Sequence, residues 1–314
     1  PIKSSAASDV YKRQGADQGK VTRVFGANFI GRMSGKVVEA FVAKADLLAA
    51  SPAYSDQSGV DWKTAAASAA KVLNHIGGVD GMDPTGWTWY CNVDDIEKLS
   101  PTESPAEILW RGERAKSLSL EEDNFPPTLY GNGRINPTQN LVDAFPMLNG
   151  YPVSHLSGEY DENLPYANRD PRLEAYILYN GCKAGNTNKE IFTAADGTTN
   201  DALNKVVGRS TRTGYYLRKL LRQDISLDPN AKADQYHYTP RIRYTEIFLA
   251  YAEAANQAYG PQDKGGNGYS AYDVVKKLRH RAGIGRDNGD AYLESIKNDQ
   301  AKMAEPVSYT HLRA

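Results

Sequence analysis

The chain has 314 residues and a formal net charge of −1, so it carries no basic footprint for nucleic acid or for an anionic membrane surface. Its 40% hydrophobic content suits a globular core, and no apolar run approaches the ~18 residues that a membrane-crossing helix needs. The two cysteines, Cys91 and Cys182, form no CxxC or metal-type cluster, and pairing between them depends on the fold.

In chain order, the opening "PIKSSAASDVYKRQ" and the closing "PVSYTHLRA" show no sustained periodicity and resemble cloning or adapter read-through. Residues 1–14 and about 306–314 are therefore expected to be non-native and to lie outside the fold, leaving 15–305 as a single, incomplete domain. Within "RMSGKVVEAFVAKADLLAA", Val37, Phe41, Ala45 and Leu48 recur at helical spacing and predict one buried stripe. Ser51 and Pro52 end that helix. Asp61 opens a second, where Ala65, Ala69, Val72 and Ile76 share a face and Gly77 and Gly78 close it. The region 32–77 thus reads as a helical hairpin.

Residues 79–235 differ in kind. Gly, Pro, Asn and Asp cluster there, and "GMDPTGWTWYCNVDD" and "EEDNFPPTLYGNGRINP" read as loops. The alternation in "EAYILYNG" predicts a strand over 174–181, and "EIFTAADGTTNDA" a short strand and turn. So long an irregular insertion in a compact domain marks function. Beyond it, "RIRYTEIFLAYAEAANQA" carries Tyr244, Phe248, Tyr251, Ala255 and Ala258 on one stripe, widened by Ile247, Ala252 and Ala254. After Gly260 and Pro261, "AYDVVKKLRHRAGI" aligns Tyr272, Val275, Leu278 and Ala282. Small residues let helix backbones approach closely, so the hairpins at 32–77 and 241–283 are expected to stack in one tetratricopeptide-like scaffold.

Six phrases, in order, carry a family resemblance: "GKVVEAFVAKADLLAASPAY", "WKTAAASAAKVLNH", "NPTQNLVDAFPMLNGYPV", "NRDPRLEAYILYNG", "TGYYLRKLL" and "RIRYTEIFLAYAEAANQAYGP…AYDVVKKLRHRAG". Over most of residues 30–300 the sequence resembles the SusD/RagB family of outer-membrane nutrient-binding lipoproteins. The resemblance implies a mostly α fold of tetratricopeptide-like hairpins, with an irregular insertion containing short strands that forms a glycan-binding face. It implies a non-catalytic, surface-exposed lipoprotein of the outer membrane that serves polysaccharide utilisation. It also implies a partner, a SusC-like TonB-dependent transporter, and no cofactor. On this resemblance the lipid-bearing Cys and first helices precede the sequence, and a C-terminal segment follows it.

The residues themselves offer no catalytic constellation. There is no HExxH, GxSxG or GxxxxGK[ST], and the histidines at positions 75, 155, 237, 280 and 311 are scattered. "RDNGDAYLE" and "AADGTTND" resemble calcium loops but lack the D-x-[DN]-x-[DN]-G order, so turn chemistry is the simpler reading. Arg169, Asp170 and Arg172 in "NRDPRL" are expected to tie the irregular region to the scaffold, and Glu246 and Glu253 to pair with Arg243 and neighbouring helices.

The aromatics remain: 20 Tyr and 4 Trp against 7 Phe, a bias toward rings with a polar tip. Pyranose C–H faces stack on flat rings, with Asn, Asp and Arg satisfying the hydroxyls. Trp62 and Trp110 are expected in the core. In extended chain Trp87 and Trp89 share a face, so with Tyr90 they form a candidate sugar platform, burial against the helices being the competing reading. Tyr160 and Tyr166, close to Asp161, Asn163 and Asn168, are the second candidate. Two other functions stay open on the residues alone: a tetratricopeptide scaffold that binds peptide, and a glycoside hydrolase, for which two carboxylates about 5–10 Å apart suffice.

Overall fold

A computed structural model describes residues 33–313 except residue 102, with side chains through residue 308. The excluded opening, residues 1–14, lies outside the described residues. The scaffold consists of helices α1 (Gly35–Ala50), α2 (Trp62–Asn74), α3 (Tyr244–Tyr259), α4 (Ala271–Arg281) and α5 (Gln300–Arg313). Three of these starts, those of α1, α2 and α4, have a side-chain cap. Ser34 accepts from the Val37 amide, Asp61 accepts from the Thr64 amide, and Ser270 and Asp273 form a reciprocal capping box.

Helix α3 is the centre. It packs on α1, α2, α4 and α5, and ten of its sixteen residues are buried, so burial extends well beyond the expected stripe. One core cluster joins Val37, Ala40, Ala43, Ala66 and Leu73 of the first hairpin to Phe248, Ala252, Val274 and Leu278 of the second. Trp62 and Trp110 are half-buried against it.

Three expectations need correction. The buried face of α1 is Val37, Ala40, Ala43 and Ala50, whereas Phe41, Ala45 and Leu48 point outward. The segment at 174–181 is not one strand. Asp170 caps and Pro171 opens a short helix, Pro171–Tyr176, that leaves only Ile177–Leu178 extended. The closing segment is not outside the fold. Helix α5 runs through Pro306, and Met303 and Val307 enter the scaffold core at helical spacing.

The irregular region is anchored by a feature the sequence reading missed. Strand β1 (Ile108–Ser117) pairs antiparallel with β2 (Gln235–Arg243), from Ile108 opposite Arg243 to Ser117 opposite Gln235, with irregularities between. Arginines lie across it: Arg114 sits 3.6 Å from the Tyr236 ring centroid and Arg241 4.7 Å from that of Trp110. Strand β2 runs directly into α3, so the ribbon joins the irregular region to the scaffold.

Candidate functional site

The segment around Trp87 is held from below by buried charge. Glu107 is almost wholly buried and pairs with Arg243 and Arg281, at 3.2 and 3.4 Å. Those arginines also donate to the carbonyls of Gly86 and Asp83. A β-carbon at position 86 would stand 2.2 Å from a Glu107 oxygen, so only glycine lets the loop settle there. Arg243 therefore pairs with Glu107, while Glu246 pairs with Lys44 of α1 at 2.6 Å.

From that anchor the chain advances in successive turns, Thr88 bonding back to Thr85 and Cys91 to Thr88, instead of extending. The alternation that would align Trp87 with Trp89 is therefore lost. Trp89 and Tyr90 are only 4% exposed and meet edge to face, 5.8 Å apart, in a second core cluster with Phe145, Leu173 and Tyr176. The Tyr90 hydroxyl donates to the Ala175 carbonyl, and Tyr176 donates to that of Trp87. The expected exposed platform is thus corrected: two of its three rings are core, and Trp87 alone is half-buried. Only edges of Trp89 and Tyr90 reach a groove of about 450 Å³, floored also by Leu120, Leu220 and Tyr238 and rimmed by Glu113, Asp123 and His237.

The second candidate is built differently. Tyr166 stacks on Tyr179 with ring centroids 4.1 Å apart and 23° between planes, and both rings are half-buried. The Tyr166 hydroxyl lies 3.3 Å from that of Tyr215, which donates to Gln139. Gln139 in turn donates to Asp143. Burial pushes the Tyr179 phenol up to about 12 and raises that of Tyr166 as well, so both hydroxyls stay neutral at physiological pH. Tyr160 is half-buried, with the Arg169 guanidinium 5.7 Å from its ring centroid. In the loop that carries Tyr166, Asp161, Asn163 and Asn168 are exposed. Asp161 accepts from the amide and side chain of Asn163, which stiffens the loop.

The charged phrase beside this loop is structural. Arg169 donates to the carbonyls of Val142, Phe145 and Pro165, and Asp170 takes a two-pronged, buried contact from Arg172. Tyr179, Tyr215 and Gln139 were not among the candidates. Tyr179 lay in the expected strand, and the others lie far from Tyr166 in sequence.

Cys91 and Cys182 are free thiols, and burial pushes Cys182 up to about 11. Asp290, in one calcium-like stretch, caps a helix and pairs with Arg279; Asp201, in the other, accepts from the Thr128 amide. Among the described residues no group of His, Cys, Asp and Glu is placed to hold a metal ion, and no helix is long and apolar enough to cross a membrane.

Comparison with known proteins agrees with this architecture. A SusD-like carbohydrate-binding protein from Bacteroides fragilis superposes with a TM-score of 0.60 at 19% identity, over 90% of this chain and 52% of its own. A second SusD-like protein from the same species gives 0.58 at 21% identity, over 91% of this chain and 55% of its own. The chain therefore spans about half the length of these solved relatives. No curated protein matches it. The model of the SusD family matches residues 110–306, more than half of the sequence. With its helical scaffold and ribbon-anchored irregular region, this chain belongs to the SusD family.

Proposed function

We propose that the protein binds glycan without catalysis, with the stacked pair Tyr166 and Tyr179 as its platform. The observation that carries this reading is the pair itself: two flat rings in contact, half-buried, one of them in a loop that also carries exposed amide and carboxylate side chains. The rings offer a negative π face to the C–H groups of a pyranose. Asp161, Asn163 and Asn168 supply donors and acceptors for its hydroxyls. Tyr160, half-buried in the same loop, is a further contact in this reading, and Trp87, half-buried, a separate candidate. A solved relative described as carbohydrate-binding supports it at the level of fold. In the same reading the protein is a lipid-anchored component of the outer-membrane surface and delivers oligosaccharide to a SusC-like TonB-dependent transporter.

The test is affinity electrophoresis against a polysaccharide panel, with analysis of released products. Retention by at least one polysaccharide without product release is expected. Tyr166→Ala or Tyr179→Ala should remove on the order of 1–2 kcal/mol, roughly a five- to thirty-fold weakening, whereas Tyr166→Phe should keep most of the retention. Product release would establish a hydrolase, and affinity for polypeptide alone a peptide-binding scaffold. Undiminished retention in both alanine variants would move the site to the groove above Trp89.

A further inference from the structure

On the scaffold, the chain leaving α2 and the chain entering α4 border a cleft of about 620 Å³ that shares no lining residue with the Tyr166 loop. Its wall holds two buried polar atoms that nothing satisfies. Tyr269 is only 8% exposed, and its hydroxyl has no hydrogen-bond partner. A β-carbon at Gly78 would stand 2.7 Å from Cε1 and 3.6 Å from Cζ of this ring. The hydroxyl end of Tyr269 therefore lies against Gly78, itself part of the wall. His280 of α4 lines the same cleft, and its Nε2 is likewise buried without a partner. Burial pushes the Tyr269 phenol up to about 12 and the His280 imidazole down, so both groups are neutral at physiological pH. Buried polar atoms are nearly always paired, because leaving one unpaired costs its full desolvation. Two in one wall mark a place where a partner from outside fits.

The rim carries an excess of positive charge. Lys276 is neutralised by Glu294 at 2.9 Å, and Asp273 accepts from the amide and hydroxyl of Ser270 in the capping box. That leaves Lys264 and Lys277, both exposed and without a carboxylate partner among the described residues, against Asp80 alone. We infer that this cleft is a second binding site and that it takes an acidic sugar, a hydroxylated ring carrying one carboxylate. A hydroxyl donates and accepts at once, which matches a neutral phenol and a neutral imidazole. An apolar ligand would leave both unpaired. The carboxylate answers the unpaired ammonium groups of Lys264 and Lys277, and Asn74, exposed at the end of α2, offers an amide to a further hydroxyl. The volume falls within the roughly 300–1,000 Å³ of small-molecule sites. The inference stands whether or not the Tyr166 platform binds glycan.

Isothermal titration calorimetry of the 314-residue chain with D-glucuronate, D-galacturonate, D-glucose and inorganic phosphate tests it. The forms compared are the unsubstituted chain, Tyr269→Phe, Lys277→Gln and Tyr166→Ala. At least one uronate is expected to bind roughly tenfold or more tighter than glucose, with an affinity that falls as salt rises. Tyr269→Phe should weaken that uronate roughly fivefold or more. It should leave the melting temperature of the ligand-free protein unchanged or higher, because it removes only an unpartnered hydroxyl. Lys277→Gln should weaken binding roughly threefold, and Tyr166→Ala should leave it unchanged. A lower ligand-free melting temperature for Tyr269→Phe would overturn the inference, since the hydroxyl would already be bonded within the protein. So would binding of neither uronate, or phosphate bound as tightly as the uronates, which would make this a site for bare anions. Loss of uronate binding in Tyr166→Ala would also overturn it, by assigning the binding to the platform.

Discussion

Arg279 grips Asp290 with two hydrogen bonds, Nε to one carboxylate oxygen at 2.6 Å and Nη2 to the other at 2.7 Å, and both side chains are out of water. Nη2 also donates to the carbonyl of Gly150 at 2.7 Å. One pair thus joins helix α4, the start of the helix Ala291–Ile296 and the irregular region. Removing one partner strands the other as a buried charge. Asp290→Ala should cost about 3–5 kcal/mol, read from the shift in urea midpoint. The double change Arg279→Met with Asp290→Leu should recover part of that loss. Gly150→Ala should cost at least about 1 kcal/mol, because φ is +95° and its β-carbon would stand 2.6 Å from Asp290. A melt unchanged by Asp290→Ala would refute the role assigned to the pair.

The two tryptophans of the "GWTWY" phrase should separate cleanly. Trp89 is core, so Trp89→Ala should destabilise by about 3–5 kcal/mol. Trp87 is half-buried, and Trp87→Ala should cost far less. Thermal melts of the two variants under one condition decide it, and similar losses would contradict the burial described above.

Lys219 gives stability a pH dependence. Burial, helped by the charges of Arg243 and Arg172, pushes its ammonium down to about 7 from the ordinary 10.5. Between those values the unfolded chain binds the proton and the folded chain does not, so stability rises with pH across that window. Between pH 7 and 9 the gain should be on the order of 1–2 kcal/mol. Lys219→Met should flatten the profile in denaturant titrations. A wild-type profile already flat from pH 7 to 9 would contradict the assignment.

The alanines of the scaffold are spacers. Ala66 of α2 and Ala254 of α3 have no exposed surface where these helices meet. Leucine at either position forces the backbones apart, and Ala66→Leu should cost about 1–3 kcal/mol by calorimetry. An equal or higher melting temperature would show slack in the interface.

The scaffold was legible because helices announce themselves locally. Spacing, a capping Ser or Asp and a terminal Gly lie within one stretch of chain, as at Ser270 and Gly283. Periodicity cannot say which apolar face of a helix is covered, and α1 has two, so Phe41 and Leu48 were placed inward when Ala40 and Ala43 are. The ribbon was illegible for another reason. Its ladder joins Ile108 to Arg243, and nothing in either strand names a partner so distant. The aromatic site shows the same division. Tyr160 and Tyr166 share a visible polar loop, whereas Tyr179 and Tyr215 join them only through the fold. Trp89 misled because alternation was assumed where the backbone turns.

The ribbon also dictates an order of events during synthesis. Strand β1 leaves the ribosome long before β2, and α3, on which α1 and α2 rest, follows β2 without a break. Until the residues of α3 appear, Val37, Ala40 and Ala66 have no central helix to cover them, and Ile108 to Ser117 form an unpaired edge. Closing so long a loop is slow, and an open strand edge invites pairing with other chains. The nascent chain therefore waits, half-assembled, for the residues from Gln235 to Tyr259, and a holdase that binds extended chain would find its substrate in that interval.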